Sequence, residues 1–540
     1  MKIKLLCLAV LGALYAPAAI AAPFVNLTPK PKQMTVSDGS LTLPASFTIG
    51  YSGLSDEMAA EITKFTETFN HATGLRATPA EGGGEGALFT VSVNGDLAAE
   101  GYNLKVTGSG VTIEAATSAG LYYAFQTVKK VLPANVMVNV ADHDAVYSLP
   151  IVDIKDEPRY EHRGYELDCA RHFFETDQVK KMIDVMSFYK MNRLHWHLTD
   201  DQGWRLEIPK YPKLITKAAT APNAYWWDFK NHYEYYLNEP YGPFYYTVDE
   251  LKDIVAYAKE RHIEVIPEVD MPGHMEAAIS AYPEFSCDPG GSHSVRYWPG
   301  VSTDILNVAN PAVIQFCKDV MDQLVEIFPY EYIHIGGDEC PKTAWQNSAE
   351  VQDMMARLGL DSPNALQTWL TKEIADYVKP KGKRLICWNE VLTSEGADTK
   401  MLQDADVLIY DWLGGTRADG PSYQAAKLGL RSVWCSTYHY YIDYSQWSGS
   451  SEPKSMGGPI TLETMYNVKP STSSDPKLLP YYYGVQCNLW TEYISEPEHV
   501  EYNSLPRMIA VAETGWTPDS RKNFNDFNAR FNADTEMLDL

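Results

Sequence analysis

The chain has 540 residues, of which 45% are hydrophobic, so its length predicts more than one domain and its composition excludes a disordered protein. Its formal net charge of −25 at pH 7 repels phosphate backbones and anionic lipid headgroups, and we therefore expect no nucleic-acid partner. Aromatic residues make up 12% of the chain, with 13 Trp and 35 Tyr, which suits a protein that stacks rings against flat, hydroxylated ligands such as sugars.

Residues 1–22 have the pattern of a secretory signal peptide. Lys2 and Lys4 precede the apolar run LLCLAVLGALYA, and small residues follow as far as Ala22. This pattern predicts a periplasmic or secreted protein, and we expect no membrane span after it. Cleavage there removes Cys7 and leaves seven cysteines without CxxC spacing, so we expect mostly small buried side chains rather than a zinc site or a dense disulfide framework.

Residues 23–155 predict a small α+β domain. Short β-type segments, FTIGYSG, LFTVSV and YNLKVTGSGVTIEA, alternate with stretches of helical pattern at 56–71 and 121–131. The tract GGGEG around Gly82 predicts a flexible loop tip, and the proline-bounded segment 150–158 predicts a domain boundary.

Residues 156–540 repeat a pattern of short β-branched or aromatic strands separated by amphipathic helices. Helical spacing of apolar residues at 179–186 and the capping box TVDE at 247–250 indicate two of these helices. The predicted strands are EHRGYELDCA, RLHWHLTD, IEVIPEVD, YIHIGGDE, RLICWNE, DVLIYDW, RSVWCSTYHYY and YGVQCNLWTE. Eight such strands predict the α/β fold of a catalytic (β/α)8 TIM barrel, preceded by the small α+β domain.

The carboxyl ends of the strands in such a barrel share one mouth, where the chemistry takes place. We therefore expect carboxylates and aromatic rings around one opening, overhung by the Tyr- and Trp-rich insertion 211–246. The predicted strand ends carry Arg171, Asp200, Asp270, Asp338 with Glu339, Glu390, Trp412, Tyr441 with Asp443, and Trp490 with Glu492.

Two adjacent acids, Asp338 and Glu339, end the apolar strand IHIGG. Successive strand residues normally point to opposite faces, but the preceding glycines allow the chain to curl so that both acids face one site. Repulsion between two acids in an apolar setting keeps one protonated as a general acid while the other stays ionised. The alternative, a pair that caps a helix N-terminus, fits the apolar strand less well.

The motifs IGGDE, ARHFF, HWHLTDDQGWRLEI, EVDMPGH, WNE and NLWTE closely resemble, in this order and spacing, those of the family 20 glycoside hydrolases, the β-N-acetylhexosaminidases. The resemblance extends over nearly all of the chain after the signal segment. It implies an exo-acting enzyme that removes terminal non-reducing β-linked GlcNAc or GalNAc from glycans or chito-oligosaccharides. It implies a retaining mechanism and neither a metal nor another cofactor.

By this resemblance, Glu339 protonates the glycosidic oxygen and then serves as base for water. Asp338 orients and charge-stabilises the substrate's own 2-acetamido group, whose oxygen attacks the anomeric carbon and forms an oxazolinium ion. Arg171 binds the outer hydroxyls of the terminal sugar, and Tyr441 holds the acetamide oxygen. The other implied substrate-binding residues are hydroxyl acceptors (Asp443, Glu492), indole walls (Trp388, Trp412, Trp490) and residues that orient Asp338 (Asp200, His274).

Three other functions are open to test. A metal-dependent amidohydrolase would use His195 and His197, but it needs further His and Lys ligands that the strands RLICWNE and DVLIYDW lack. A catalytically silent glycan-binding protein would lack one of the paired acids, and both are present. Ordinary retaining hydrolysis needs a second carboxylate about 5 Å from the acid, a role that Glu390 or Glu492 could fill. The sequence leaves open the oligomeric state, gluco or galacto configuration, and chitobiose, N-glycan arms or another glycoconjugate as substrate.

Overall fold

The computed structural model describes residues 25–83, 86–449 and 451–539, apart from the side chain at position 536. The predicted signal peptide, residues 1–22, lies outside them. Contacts divide the chain into two compact units, of which the second consists of Tyr160–Ser187 and Met191–Gly515. The first unit comprises the described residues up to Arg159, Phe188–Lys190 and the described residues from Trp516 onward, whereas the sequence predicts this last segment within the barrel domain.

The strands are numbered in chain order: β1 (Gln33–Thr42), β2 (Ser46–Tyr51), β3 (Arg76–Glu81), β4 (Phe89–Val93), β5 (Tyr102–Thr107), β6 (Gly110–Ala115), β7 (Ser148–Asp156), β8 (His162–Asp168), β9 (Arg193–His197), β10 (Thr199–Asp200), β11 (Gly203–Trp204), β12 (Tyr225–Asp228), β13 (Tyr233–Tyr236), β14 (Glu264–Glu268), β15 (Tyr332–His334), β16 (Arg384–Trp388), β17 (Leu408–Asp411), β18 (Ser432–Trp434) and β19 (Tyr482–Leu489).

The α-helices are α1 (Asp56–Thr73), α2 (Ser118–Lys130), α3 (Ala134–Met137), α4 (Thr176–Phe188), α5 (Val248–Lys259), α6 (Glu276–Ala281), α7 (Pro311–Ile327), α8 (Thr343–Asn347), α9 (Ala349–Leu358), α10 (Pro363–Val378), α11 (Glu390–Thr393), α12 (Thr399–Ala405), α13 (Pro421–Lys427), α14 (Leu462–Asn467), α15 (Pro497–Ser504), α16 (Arg507–Trp516) and α17 (Phe524–Asp539). None of the helices in the described part of the chain has both the length and the hydropathy needed to cross a bilayer.

The first unit contains a seven-stranded mixed sheet in the order β1-β7-β5-β6-β4-β2-β3. Helices α1 and α2 occupy the two stretches that were predicted to be helical. Helix α1 begins where the Ser55 side chain accepts a hydrogen bond from the Met58 N–H, and it ends at Gly74, whose φ of 70° is left-handed. Its Phe65 and Phe69 rings pack in the core, where Phe69 meets Phe47 of β2 edge to face.

The second unit is built on a closed parallel barrel of eight strands in the order β14-β15-β16-β17-β18-β19-β8-β9. All eight predicted strand segments lie in it, so the predicted TIM barrel is confirmed. Helix α5 begins with the predicted capping box, in which Thr247 and Glu250 satisfy each other's backbone N–H groups. Part of the barrel interior is filled by side chains such as Ile266, Tyr332 and Trp388.

The seven described cysteines are all free thiols. Five of them are buried and two, Cys287 and Cys340, are half-buried. Most of them are therefore small buried side chains, as the sequence predicted.

Candidate active site

The segment after β15 carries the two adjacent acids into the barrel mouth. Gly336 and Gly337 have φ values of 64° and 94°, which favour glycine. A Cβ on Gly336 would lie 1.9 Å from Asp270 Oδ1, so this close approach also excludes a side chain. The curl that follows lets both acids face one group, because His274 Nε2 is 3.7 Å from Asp338 Oδ2 and 3.8 Å from Glu339 Oε2.

The two acids differ in their surroundings. The side chain of Asp338 is 15% exposed and that of Glu339 is 45% exposed. Burial, and then the charge of Asp338, raises the pKa of Glu339 above its usual range. A carboxyl group with a raised pKa stays protonated nearer neutral pH, so Glu339 is suited to donate a proton.

His274 and Asp200 connect the acids to Arg171. Asp200 Oδ1 lies 3.2 Å from His274 Nδ1, and Asp200 Oδ2 lies 2.9 Å from Arg171 Nη2. Burial alone would raise the pKa of Asp200, but the charges of Arg171 and His274 hold it well below its usual range. Asp200 is therefore an anion next to His274, whose Nε2 lies 3.7 Å from Asp338 Oδ2, a separation longer than a hydrogen bond.

Arg171, Asp443 and Glu492 form the other end of the site. Arg171 Nη1 lies 3.0 Å from Asp168 Oδ2 and 3.7 Å from Glu492 Oε1, and its guanidinium carbon lies 5.1 Å from the Trp490 ring centre. Both carboxylate oxygens of Asp443 and Oε2 of Glu492 are buried without a hydrogen-bond partner among the described residues. Carboxyl oxygens without a partner are available to accept hydrogen bonds from a donor that enters the site.

Aromatic rings connect these two ends. The rings of Trp412 and Tyr441 lie 6.0 Å apart and nearly parallel, and Trp490 lies 6.2 Å from Tyr441. Trp388 lies 5.8 Å from Trp490 but is only 1% exposed, because it points into the barrel and its indole N–H donates to Glu268 Oε1. Three rings thus line the mouth, whereas Trp388 lies beneath them instead of at the rim.

Four acidic residues at the site are not among the predicted catalytic or substrate-binding residues. Asp270 lies under the curl and accepts a hydrogen bond from the Gly337 N–H, and burial followed by the charge of Asp338 raises its pKa well above the usual range. Glu390 accepts from the Trp412 indole at 2.8 Å, and burial, then Asp338, raises its pKa to about 8. The others are Asp168, which holds Arg171, and Glu268. Their positions at strand ends were the available signal for Asp270 and Glu390.

His195 and His197, the pair considered as metal ligands, both face Glu268. His195 Nε2 lies 3.0 Å from Glu268 Oε2, and His197 Nδ1 contacts the same oxygen. Groups such as His195, Glu268 and His334 bring possible ligand atoms within 4.8 Å of one another, and so do two groups around His274. Because these carboxylates already contact imidazoles, an arginine or backbone N–H groups, the geometry is that of an ion-paired network.

Chelator treatment is expected to leave the rate of the expected hydrolysis unchanged, because side chains and the substrate's acetamide group supply all of the charges that the family resemblance implies. The measurement is the rate on an aryl N-acetylglucosaminide before and after dialysis against EDTA. A large loss of rate that added zinc reverses would contradict this expectation and support the metal-dependent hydrolase.

Family models match both parts of the chain. The model described as "Glycosyl hydrolase family 20, catalytic domain" matches residues 160–519, and "Glycosyl hydrolase family 20, domain 2" matches residues 25–157. The chain belongs to glycosyl hydrolase family 20. The resemblance seen in the sequence motifs is confirmed, and with it the prediction of a glycoside hydrolase at the level of the family.

Curated relatives and solved structures agree with this family. A beta-hexosaminidase of Porphyromonas gingivalis is 35% identical over 528 residues, covering 96% of this chain, which itself spans 63% of that protein. A beta-hexosaminidase of Vibrio furnissii is 32% identical, with 92% of this chain and 77% of that protein covered. The structure of the GH20 exo beta-N-acetylglucosaminidase of Vibrio harveyi in complex with N-acetylglucosamine has a TM-score of 0.79 at 28% identity, covering 97% of this chain and 80% of that one.

Proposed function

We propose that the protein is an exo-acting β-N-acetylhexosaminidase that removes terminal non-reducing β-linked GlcNAc or GalNAc from glycans or chito-oligosaccharides. The observation that carries this proposal is the convergence of Asp338 and Glu339 on His274 Nε2, next to an aromatic pocket. An acid and an anion side by side suit a reaction in which one protonates the leaving oxygen and the other stabilises a cation.

The proposed reaction retains configuration and uses the substrate as nucleophile. Glu339 donates its proton to the glycosidic oxygen while the acetamide oxygen bonds to the anomeric carbon and the bond to the leaving group breaks. Asp338 balances the charge of the resulting oxazolinium ion. Glu339, now ionised, takes a proton from the water that attacks the anomeric carbon and restores the free acetamide.

The two alternative protein nucleophiles, Glu390 and Glu492, are placed unfavourably for attack on the anomeric carbon. Glu390 has a pKa raised to about 8 by burial and then by Asp338, so it is largely neutral at pH 7 and a poor nucleophile. Glu492 lies 3.7 Å from Arg171 at the end of the site assigned to the outer sugar hydroxyls. Both positions favour the substrate's acetamide as the nucleophile.

Exo action is supported by the chain segments around Arg171 and Glu492. A cavity beside these two residues is lined by the insertion, including Tyr225 and Tyr241, and by Trp298. These residues surround the end of the site assigned to the outer hydroxyls of the terminal sugar, and an enclosed end of this kind is what exo action requires.

The test compares three aryl β-glycosides, two of which carry a 2-acetamido group and one of which does not. The proposal expects hydrolysis of the N-acetylglucosaminide and N-acetylgalactosaminide, little hydrolysis of the plain glucoside, and release of the β-anomer first, as seen by proton NMR. If the plain glucoside is turned over as fast as the N-acetylated substrates, a protein side chain must be the nucleophile. No turnover of any of these substrates would favour a glycan-binding protein.

Tyr441→Phe is expected to lower kcat about 100-fold, because it removes the hydroxyl that positions the acetamide oxygen and keeps the ring that stacks on Trp412. KM should change less. The matched control is Tyr444→Phe, whose hydroxyl lies 3.1 Å from Thr437 Oγ1 and whose ring packs against Tyr441. Equal losses in the two variants would assign the effect to packing.

We also propose that the protein is periplasmic or secreted, on the pattern of residues 1–22. Cell fractionation with N-terminal sequencing of the product tests this. Recovery of uncleaved chain in the cytoplasm would contradict it.

A further inference from the structure

Glu268, at the end of β14, is a buried carboxylate that the proposed reaction does not use. Four ring nitrogens surround it. Trp388 Nε1 and His334 Nδ1 lie 2.8 Å from Oε1, while His195 Nε2, at 3.0 Å, and His197 Nδ1 contact Oε2. A carboxylate with no exposed surface is costly unless it is paired, so this cluster requires an explanation.

The contact between Glu268 and His197 is the first in a chain of contacts that leads to the reacting groups. His197 Nε2 lies 2.8 Å from Asp200 Oδ2, and Asp200 Oδ1 lies 3.2 Å from His274 Nδ1. His274 Nε2 is the atom on which Asp338 and Glu339 converge. His195 has no such continuation, because its other nitrogen, Nδ1, meets the Gln486 side-chain amide at 3.0 Å.

We propose that Glu268 is a positioning residue for the hydrolytic reaction, acting through His197 and Asp200 on His274 and directly on the indole of Trp388. The proposal rests on the proposed function for the identity of the reacting groups. The carboxylate of Glu268 holds His197 with both ring N–H groups donating, so that Asp200 keeps a fixed orientation and presents its other oxygen to His274.

The charge states of the two histidines agree with this geometry. Burial lowers the pKa of His195 to about 4, so this ring is neutral. Burial acts in the same direction on His197, but the charge of Glu268 and hydrogen bonds to Asp200 and Glu268 raise its pKa well above the usual range. His197 is therefore an imidazolium between two carboxylates.

Several other ionisable groups face His197 from the surrounding strands. Removing the charge of Glu268 takes away the largest interaction that favours the imidazolium, so the pKa of His197 should fall. The remaining acids continue to favour the charged form, and the guanidinium of Arg171 opposes it. These groups are Asp200 on β10, Asp168 and Glu166 on β8, His195 on β9, His334 on β15, which faces Glu268, and Arg171 beyond Asp200.

The proposed working form of His197 is protonated, and a Glu268→Gln variant loses that form as pH rises through a lowered pKa. The variant should recover activity at lower pH, while the wild type keeps its rate to higher pH. At pH 8 we expect kcat to be lowered about 10- to 100-fold, the range typical of residues that orient a reacting group, with a smaller change in KM.

The experiment measures kcat and KM against pH for Glu268→Gln, His197→Gln, their double variant and His195→Gln, on an aryl N-acetylglucosaminide with an acidic phenol. His195→Gln is the matched control, because it alters the same strand and a contact to Glu268 without interrupting the route to Asp200. We expect this control to keep the wild-type pH profile with kcat within about threefold. If Glu268 acts through His197, removing both residues should lower kcat little more than removing His197 alone. The kcat of the double variant should then lie within about threefold of that of His197→Gln.

A purely structural role predicts a different outcome. If kcat falls in proportion to Tm in every variant and the pH profiles do not change, the proposal is overturned. If Glu268→Gln does not fold, the comparison of His197→Gln with His195→Gln tests the proposal instead. Equal losses of kcat in these two variants would overturn the proposal.

Titration of the imidazole signals by NMR separates this proposal from the proposed function. With 15N-histidine labelling, the His197 ring, assigned from its absence in His197→Gln, should stay doubly protonated to higher pH in wild type than in Glu268→Gln. This result does not depend on turnover. Absence of turnover in wild type would reject the proposed function alone, and an unshifted His197 titration would reject the positioning role of Glu268.

Discussion

Replacing Asp338 by Asn is expected to lower kcat about 100-fold or more on N-acetylglucosaminides, with a smaller change in KM. The substitution keeps the shape of the side chain and removes the anion that balances the oxazolinium charge, a charge that exists only after the acetamide has attacked. Asp338 is suited to this task because its Oδ1 is buried with no hydrogen-bond partner among the described residues. This oxygen is therefore available to a donor on the substrate.

Binding of a thiazoline mimic of the cyclised intermediate gives a second measurement. The mimic should inhibit wild type strongly and bind Asp338→Asn much more weakly, because its charge partner is missing. Asp353→Asn on the exposed face of α9 is the control and should leave both kcat and inhibition unchanged. Equal inhibition of wild type and Asp338→Asn would reject the acetamide as the nucleophile.

The barrel and the adjacent acids were predictable because each depends on local pattern. Alternating short apolar strands and amphipathic helices predict a parallel sheet, and eight of them close it. The glycines before Asp338 indicated a curl, and the structure shows why both must be small: a Cβ at Gly337 would lie 2.7 Å from Val391 Cγ1. Family motifs supplied the rest of the site, and the structure brings those residues together at the mouth except Trp388, which lies beneath it.

What the sequence did not predict depends on contacts between strands that are distant in the chain. Trp388 was expected at the rim, but Glu268, 120 residues earlier, accepts its indole N–H inside the barrel. The HxH spacing of His195 and His197 is equally typical of metal ligands and of a strand face that surrounds a buried carboxylate. In the structure both histidines contact Glu268, which lies on the neighbouring strand β14 and could not be placed from the local sequence.

The position of Glu390 was predictable, but its role was not. At a strand end it resembled a possible nucleophile, whereas its carboxyl oxygen accepts the Trp412 N–H at 2.8 Å. Its raised pKa, about 8, arises from burial and from Asp338, neither of which is a property of the local sequence. Burial and charge at this residue depend on the assembled barrel mouth.

Glu339→Gln is expected to lower kcat about 1000-fold for leaving groups that need protonation, within the range of general acid catalysis. Glutamine keeps the shape of the side chain but can neither donate nor accept the proton. Because the wild-type pKa of Glu339 is raised, the protonated form should be lost only as pH rises above the range of an ordinary glutamate. This alkaline limb of kcat/KM should disappear in the variant when the substrate carries an acidic phenol.

The dependence on the leaving group decides whether Glu339 is the acid. In a series of aryl N-acetylglucosaminides, the loss of kcat/KM in Glu339→Gln relative to wild type should grow as the pKa of the phenol increases. The loss should be smallest for the most acidic phenols, because their departure needs no proton. Glu390→Gln is the matched control: it alters a neighbouring carboxyl that contacts Trp412 and not the leaving oxygen, so its loss should be the same across the series. If Glu339→Gln instead loses the same factor for every phenol, the proton must come from another group, and Asp338 would then be the acid to test.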